Sequence, residues 1–356
     1  MSPTPANAAA KPRRFRAGWR VFALGMVALA LLPAPSGSAV VVPRLFEASV
    51  PSSGRSDAAR QASFSAALRV VAVRASGRRD AGTRLSPATL ADASRHVQRF
   101  GDNPDGTLQV GFDRDSINRV LAQNDLPIWG SERPVTLVWL TIEDAAGQQS
   151  WVGADPALPE SRTLQQVAEL RGLPLVWPVM DMEDRMLANA LGNDDQAAPR
   201  LAALASRYRA DAVLVGRARR GAGNELSVRW SLHFGAMTTT TAGPVAEGVH
   251  FAADELAGLF AASSGAVQSL VVDVAAVTDL RAYAETLNYL EGLTLVRSAA
   301  VEQVNGDSVR FRLQVLGDAS LLSRAVRLGQ RLVPVQGDGV IAADRLELRY
   351  QPAALR

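Results

Sequence analysis

The segment Leu201–Arg217, LAALASRYRADAVLVGR, is the part of the sequence that best indicates the fold. Four of its residues recur at the spacing of one helix face, namely Leu201, Leu204, Ala205 and Tyr208. Five small or apolar residues, Ala212–Gly216, follow directly. A helical period that changes into a short apolar run is typical of a helix that leads into a buried strand. The segment therefore predicts an α/β unit in the middle of the chain.

The elements predicted on either side of this unit form three regions. The N-terminal region, residues 40–132, predicts a small α+β domain, with one helix running from Ser56 to Gly77 and another over 86–100. The middle region, residues 133–265, predicts an α/β sandwich with a mixed sheet. The C-terminal region, residues 266–356, has the element order β-α-β-β-α-β, which is ferredoxin-like. The predicted fold class is therefore α+β and α/β, in three domains.

The first 39 residues have the three parts of an export signal. Five basic residues and no acidic ones precede the twelve-residue apolar run Val21–Leu32, and small residues ending at Ala39 suit a signal peptidase. Residues 1–39 are therefore predicted to be a signal peptide that directs the chain to the periplasm. The alternative is a retained anchor, which twelve apolar residues disfavour because a membrane-spanning helix needs about 20.

Charge and cysteine content exclude several classes of function. Loss of residues 1–39 would change the formal net charge from +3 to −2, which argues against a nucleic-acid partner. The chain contains no cysteine, so a lipid anchor, disulfides, thiol catalysis and cysteine-ligated zinc are excluded. We predict no cofactor, no metal site and no membrane span after signal cleavage. Composition does not predict an oligomeric state.

Five segments together resemble an exported bacterial family known as domain of unknown function twenty-sixty-six. They are LFEASVP at 45–51, VVAVRASG at 70–77, IWGSERPVTLVWL at 128–140, LPLVWPVMDMED at 173–184 and ASRYRADAVLVGR at 205–217. The resemblance implies export and an α/β middle module, and the family carries no established activity. The middle region also looks like TolB amino-terminal and curli-secretion-type periplasmic modules, which are binding components.

Three carboxylates are the candidate catalytic residues if the protein is an enzyme. Asp181, Glu183 and Asp184 follow a strand predicted at 173–179, where ligands of open α/β sheets gather. Two carboxylates could act as acid and base on a glycoside, or bind a divalent cation. The alternative, which we favour, is that Asp181 caps the following helix.

Two further pairs of residues are candidates for contact with a partner or ligand. Trp129 and Arg133 lie in a Gly/Pro-punctuated segment and belong to the residue types that dominate interface energies. They could instead fill the boundary between the first two domains, with Arg133 bonding carbonyls there. Arg217 and Arg219 would share one face at a strand end and could bind an anion, although pairing with local carboxylates is the simpler interpretation.

The sequence contains no catalytic motif. The three histidines lie on separate elements, and no nucleophile elbow occurs. We therefore predict a non-enzymatic binding or assembly accessory of the bacterial cell envelope, whose partner is an envelope protein or cell-wall component. The alternatives are a carboxylate-based hydrolase acting on envelope polysaccharide and a periplasmic small-ligand sensor.

Overall fold

The computed structural model of the chain describes residues 40–42, 44–191, 198–221, 226–262, 267–329, 331–335 and 344–352. The predicted signal peptide, residues 1–39, lies outside the described residues. Within these ranges the fold is mixed α+β, with ten α-helices and several sheets. No helix in the described part of the chain is long and apolar enough to cross a membrane.

The N-terminal region is built around one long helix, α1 (Asp57–Ser76). Ser56 accepts a hydrogen bond from the amide of Ala59, and Gly77 ends the helix in the left-handed conformation with φ 72°. The predicted start and stop of this helix are thus confirmed. The other elements are β1 (Val40–Val41), β2 (Glu47–Pro51), α2 (Ala81–Arg84), α3 (Pro87–Ala91), β3 (Val97–Asp102), β4 (Thr107–Phe112), α4 (Arg114–Gln123), β5 (Ile128–Trp129) and β6 (Glu132–Arg133).

The helix predicted over 86–100 is wrong beyond His96. The chain forms α3, then a short 3-10 turn at Ala93–His96, and then strand β3, which pairs with β4 in the antiparallel sheet β2-β4-β3. Backbone pairing with a strand further along the chain outweighs the local helical pattern here. Phe100 on β3 also contacts Phe64 of α1 edge to face, with ring centroids 5.2 Å apart.

The middle region contains the predicted mixed sheet. Its elements are β7 (Thr136–Glu143), β8 (Gln149–Val152), α5 (Pro159–Arg171), β9 (Leu175–Val176), α6 (Met182–Leu191), α7 (Ala198–Arg207), β10 (Ala212–Arg220), β11 (Leu226–Phe234), β12 (Met237–Gly243), α8 (Val245–Phe260) and β13 (Ala261–Ala262). The strand order is β12-β11-β10-β7-β8, and β9 also pairs with β7. Strand β7 runs parallel to β9 and β10, and the other pairs are antiparallel.

Helices cover both faces of this sheet. Leu164 of α5 and Val249 of α8 pack on one face, whereas Leu201 and Leu204 of α7 pack on the other. Successive residues of β7 and β10 point to opposite faces, as the two separate apolar clusters require. The helix and strand predicted within Leu201–Arg217 are therefore confirmed as α7 and β10.

The C-terminal region forms a five-stranded sheet with two helices. Its elements are β14 (Val267–Ala275), α9 (Leu280–Gly292), β15 (Val296–Asn305), β16 (Ser308–Leu316), α10 (Ala319–Leu328), β17 (Leu332–Pro334) and β18 (Arg345–Tyr350). The strand order is β15-β16-β14-β18-β17. The last strand, β18, runs parallel to the first, β14, and the additional edge strand β17 pairs with β18. The ferredoxin-like arrangement is therefore not confirmed.

One hydrophobic cluster joins the two ends of the fold. Buried residues of α1 and α4, such as Leu68 and Ile117, belong to the same cluster as Leu270 and Phe311 of the C-terminal sheet. The two-stranded sheet formed by β5 and β13 also links the N-terminal region to the chain that enters β14. The described part of residues 35–356 is one compact unit. The boundaries at 132 and 265 stay predictions.

Candidate functional site

The three candidate carboxylates lie together around one arginine, Arg207 at the end of α7. The guanidinium forms ion pairs with Asp181 and Glu183, and its Nε lies 3.5 Å from Oδ1 of Asp184. Asp181 and Glu183 are exposed, whereas the side chain of Asp184 is fully buried. The strand predicted at 173–179 is only Leu175–Val176, and a loop carries the chain from it to the carboxylates.

The same carboxylates also hold the first turn of α6. The amide of Asp184 donates to Oδ1 of Asp181 over 3.0 Å, and the amide of Met180 donates to Oδ2 of Asp184 over 2.8 Å. The hydroxyl of Tyr208 donates to that same Oδ2 atom. Met180 has a positive φ of 61°, a conformation that these bonds help to hold.

The electrostatics of this cluster suit a structural role better than acid catalysis. The hydrogen bond from the amide of Asp184 and the interactions with Arg207 lower the pKa of Asp181, although desolvation opposes them. A glycosidase needs one carboxyl whose pKa is raised, so that it can donate a proton to the leaving group. The pKa of Asp181 is shifted in the opposite direction. The arrangement is that of a capped helix with an ion-paired first turn.

One carboxyl elsewhere in the middle region does have a raised pKa. Burial raises the pKa of Asp211 to about 6, against the effect of a hydrogen bond from the amide of Val135. That bond, 2.8 Å from Val135 N to Oδ2, joins the start of β10 to the segment leading into β7. Asp211 therefore secures the parallel pair at the centre of the sheet.

Trp129 and Arg133 lie in the interior of the protein. Both side chains are buried, with exposed fractions of 1% and 0%. The Arg133 guanidinium stacks on the Trp129 ring, 3.9 Å from its centroid. A partner-contact role does not fit this placement, because neither side chain reaches the surface. The two residues fill the boundary between the N-terminal and middle regions.

Within the described ranges, the Arg133 side chain is hydrogen-bonded by backbone carbonyls alone. Its guanidinium donates to the carbonyls of Trp129, Gly130, Arg74, Arg171 and Gly172 over 2.7–3.1 Å. Three of these carbonyls belong to the C-terminal ends of α1 and α5, where the helix dipole is negative. Burial and the charges of Arg74 and Arg171 lower the pKa of Arg133 well below its usual value.

A second buried arginine completes this boundary, which we call the arginine junction (Arg74, Trp129, Arg133 and Arg171). The side chain of Arg171 is fully buried and lies 2.6 Å from Oδ1 of Asp254 on α8. It also donates to the carbonyl of Gly77 over 2.6 Å. The junction thus ties together the ends of α1 and α5, the short strands β5 and β6, and α8.

Arg217 and Arg219 lie on β10, two residues apart, as predicted. Arg219 is exposed, and its Nε lies 3.6 Å from Oε1 of Glu143 on the neighbouring strand. Arg217 is partly buried and faces Arg229 and Thr141 in the sheet register. Arg219 therefore pairs with a local carboxylate.

The structure does not bring the three histidines together. Nδ1 of His96 lies 2.6 Å from the hydroxyl of Ser116, His233 contacts Thr238 and Ser231, and His250 lies beside Arg171. Burial lowers the pKa of all three imidazoles. In the described ranges, no three His, Asp or Glu side chains are grouped so that they could hold a metal ion.

Two surface features were not anticipated from the sequence. One is the edge position of strand β15 in the C-terminal sheet, where it pairs only with β16 in the described structure. The other is a cleft of about 440 Å³ between α4 and the turn from α9 into β15. Its lining residues are Arg114, Asp115, Asn118, Arg119, Glu291, Leu293, Thr294, Val296 and Arg297. The lining residues of α4 and those of the 291–297 segment are more than 160 positions apart in the sequence, so no local motif reveals the cleft.

Comparison with known proteins gives one family match. The family described as "Domain of unknown function (DUF8605)" matches residues 39–130, which is most of the N-terminal region. It is a different family from the one that the sequence resembles, and that resemblance stays a prediction. No curated protein matches the chain.

Two solved structures show weak similarity. The LpoB C-terminal domain from Salmonella enterica is 19% identical, covers 31% of this chain and 82% of its own, and has a TM-score of 0.19. A competence-damaged protein (CinA) superfamily protein from Escherichia coli is 11% identical, covers 41% of this chain and 84% of its own, and has a TM-score of 0.17. Neither likeness supports an argument about function.

Proposed function

We propose that the chain is a non-enzymatic binding protein of the bacterial cell envelope, exported to the periplasm, whose partner is another envelope protein. The observation that carries the proposal is strand β15, whose outer edge has no neighbouring strand in the described part of the chain. The basic and apolar pattern of residues 1–39 supports the location. The ion-paired arrangement of Asp181, Glu183 and Asp184 supports a protein without hydrolase activity.

Among the described residues, no strand pairs with the outer edge of β15, and most of its side chains are exposed. It is ten residues long, and eight of these residues are exposed. The exposed side chains include two valines, Val301 and Val304, with exposed fractions of 38% and 61%. A free edge presents a row of backbone donors and acceptors that another extended strand can satisfy. The partner would therefore contribute an extended segment.

Two irregularities define where such a segment would pair. The register of β15 with β16 shifts between Val296 and Ser298 and again between Val301 and Gln303. Bulges of this kind interrupt regular pairing and protect an edge against unspecific association. The added segment would therefore pair with the regular stretch from Ser298 to Val301. Pairing restricted to four residues favours one specific partner segment over unspecific association along the whole strand edge.

Site-specific photo-crosslinking in the periplasm tests this function. A photoreactive side chain at Ser298 should yield one defined adduct, and the same side chain at Thr240 on the edge strand β12 is the matched control. Val301→Lys, which places a charge on the proposed edge, should strongly reduce the adduct at Ser298. Equal adducts at Ser298 and Thr240, or an adduct unaffected by Val301→Lys, would contradict the proposal.

A further inference from the structure

The cleft between α4 and the start of β15 has a rim of five exposed charged side chains. Three are arginines and two are acids: Arg114, Asp115, Arg119, Glu291 and Arg297. Among the described residues, none of the five forms an ion pair with another or with a residue outside the cleft. This contrasts with Arg207, which is paired with three carboxylates. The rim thus presents separate charges of both signs to solvent.

The floor of the cleft contains a buried amide that is not satisfied. Asn118 of α4 has an exposed fraction of 3%, and its Oδ1 atom has no hydrogen-bond partner. A buried polar atom without a partner costs about 1–3 kcal/mol. Thr294, also on the floor, accepts a hydrogen bond from the amide of Ser131 over 3.2 Å and is already partnered. Asn118 is therefore the floor residue whose unsatisfied amide oxygen a bound molecule would satisfy, once the amide rotates to present that oxygen to the cleft.

The apolar part of the floor is small. Leu293 and Val296 are buried and line the cleft beside Asn118. A volume of about 440 Å³ is within the range of small-molecule sites, about 300–1,000 Å³. A large apolar ligand would find little matching surface. A small polar ligand with short aliphatic groups fits the floor better.

We propose that this cleft binds a small zwitterion of the amino-acid or short-peptide class. The arginines of the rim bind the carboxylate, because guanidinium groups form strong charge-assisted hydrogen bonds with it. Asp115 and Glu291 bind the ammonium group, and the Asn118 side chain bonds the peptide group. A simple anion would be repelled by the two acids. This inference does not depend on the proposed pairing at β15.

Titration calorimetry of the full chain with alanyl-alanine tests the proposal. Capping either end of the dipeptide, as the N-acetyl or the C-terminal amide derivative, should weaken binding by about tenfold, as the loss of a charge-assisted hydrogen bond implies. Asn118→Leu and Arg297→Gln should each weaken binding by a similar factor. Arg229→Gln, an exposed arginine on β11 without an ion pair among the described residues, is the matched control and should not change it.

Stability measurements separate a binding role from a structural one. Asn118→Leu should keep or raise the thermal midpoint, because it removes an unsatisfied buried atom at nearly constant volume. Arg297→Gln alters an exposed side chain and keeps the test valid if Asn118→Leu folds poorly. The proposal is overturned if alanyl-alanine does not bind, if inorganic phosphate binds in its place, or if Arg297→Gln leaves binding unchanged.

Discussion

Arg133 and Arg207 each gather several oxygen atoms, but the two arginines do so in opposite environments. Arg133 is fully buried and bonded by five carbonyls, with no carboxylate in ion-pair contact in the described structure. Arg207 is a quarter exposed and pairs with three carboxylates. A count of ionic contacts alone would therefore predict that Arg207 contributes more to stability than Arg133. Burial reverses that order, because an unmatched buried group costs more than an exposed pair contributes.

The two arginines also differ in how far apart in the sequence their contacting residues lie. The carbonyls around Arg133 come from residues as far apart in sequence as Arg74 and Gly172. The acids around Arg207 lie within one segment, from Asp181 to Asp184. The arginine junction holds separate parts of the fold together, whereas the Arg207 cluster shapes one helix start. Substitutions at the two arginines and their neighbours should therefore differ in their effects on stability.

Arg133→Met should cause the largest loss of stability. It leaves five buried carbonyls without their donor, and removal of one partner from a buried charged network costs about 3–5 kcal/mol. Urea unfolding should show a lower midpoint with the slope unchanged. The matched control is Arg229→Gln, which removes an exposed arginine. If the two variants unfolded at the same midpoint, Arg133 would not be the anchor described here.

Gly172→Ala should cause the second largest loss. Gly172 ends α5 with φ 62°, and an added Cβ would lie 2.6 Å from Nη1 of Arg133. The left-handed conformation costs a non-glycine residue about 1 kcal/mol, and displacement of the guanidinium adds to that cost. Gly147→Ala is the control, since Gly147 also has a positive φ of 79° but open space around it. Equal losses of stability in the two variants would show that the backbone conformation alone, and not the contact with Arg133, sets the cost.

Arg207→Gln should cost less stability than either junction variant, and its effect should depend on pH. The folded pKa of Asp181 lies below the usual value of 3.8, so its contribution is present above that pH and is lost as the pH falls through the lower folded pKa. The variant should therefore be less stable than the parent protein at neutral pH, and it should lose less stability than the parent on acidification. Thermal midpoints measured across the acid range check this. A pH profile parallel to that of the parent would contradict it.

Arg219→Gln should have the smallest effect. Its side chain is 80% exposed, and its contact with Glu143 is 3.6 Å long. Isolated exposed pairs contribute between 0 and about 1 kcal/mol, and surface substitutions usually stay within about 0.5 kcal/mol. A shift in the thermal midpoint as large as that of Arg207→Gln would mean that the number of acids around an arginine does not set its contribution.

Local sequence signals predicted those elements that local contacts determine. Ser56 and Gly77 mark the ends of α1, and the period from Leu201 to Tyr208 marks α7. The same reasoning was wrong at Val97–Asp102, where pairing with β4 decides the conformation. In the C-terminal region, the extra strand Leu332–Pro334 is too short for a periodic pattern. Such elements depend on neighbours that sequence spacing does not identify.

The candidate sites show the same division. The capping interaction of Asp181 could be predicted, because it bonds a residue three positions away. The convergence of three acids on Arg207 could not, since a second helix supplies the arginine. Their residue types identified Trp129 and Arg133 as candidates for contact with a partner or for the boundary between two regions. Only the fold shows that both are buried. The cleft beside Asn118 requires α4 and the 291–297 segment to meet, which no motif encodes.

The cluster shared by α1, α4 and the C-terminal sheet bears on how the chain folds. Residues near position 70 and residues beyond position 270 contribute to the same cluster, so much of the fold depends on contacts of high sequence separation. Closing such long loops slows folding and prolongs exposure of apolar surface. During synthesis, the N-terminal region therefore emerges long before the strands that complete its core. Its apolar helix faces must stay unaggregated until the last sheet is made.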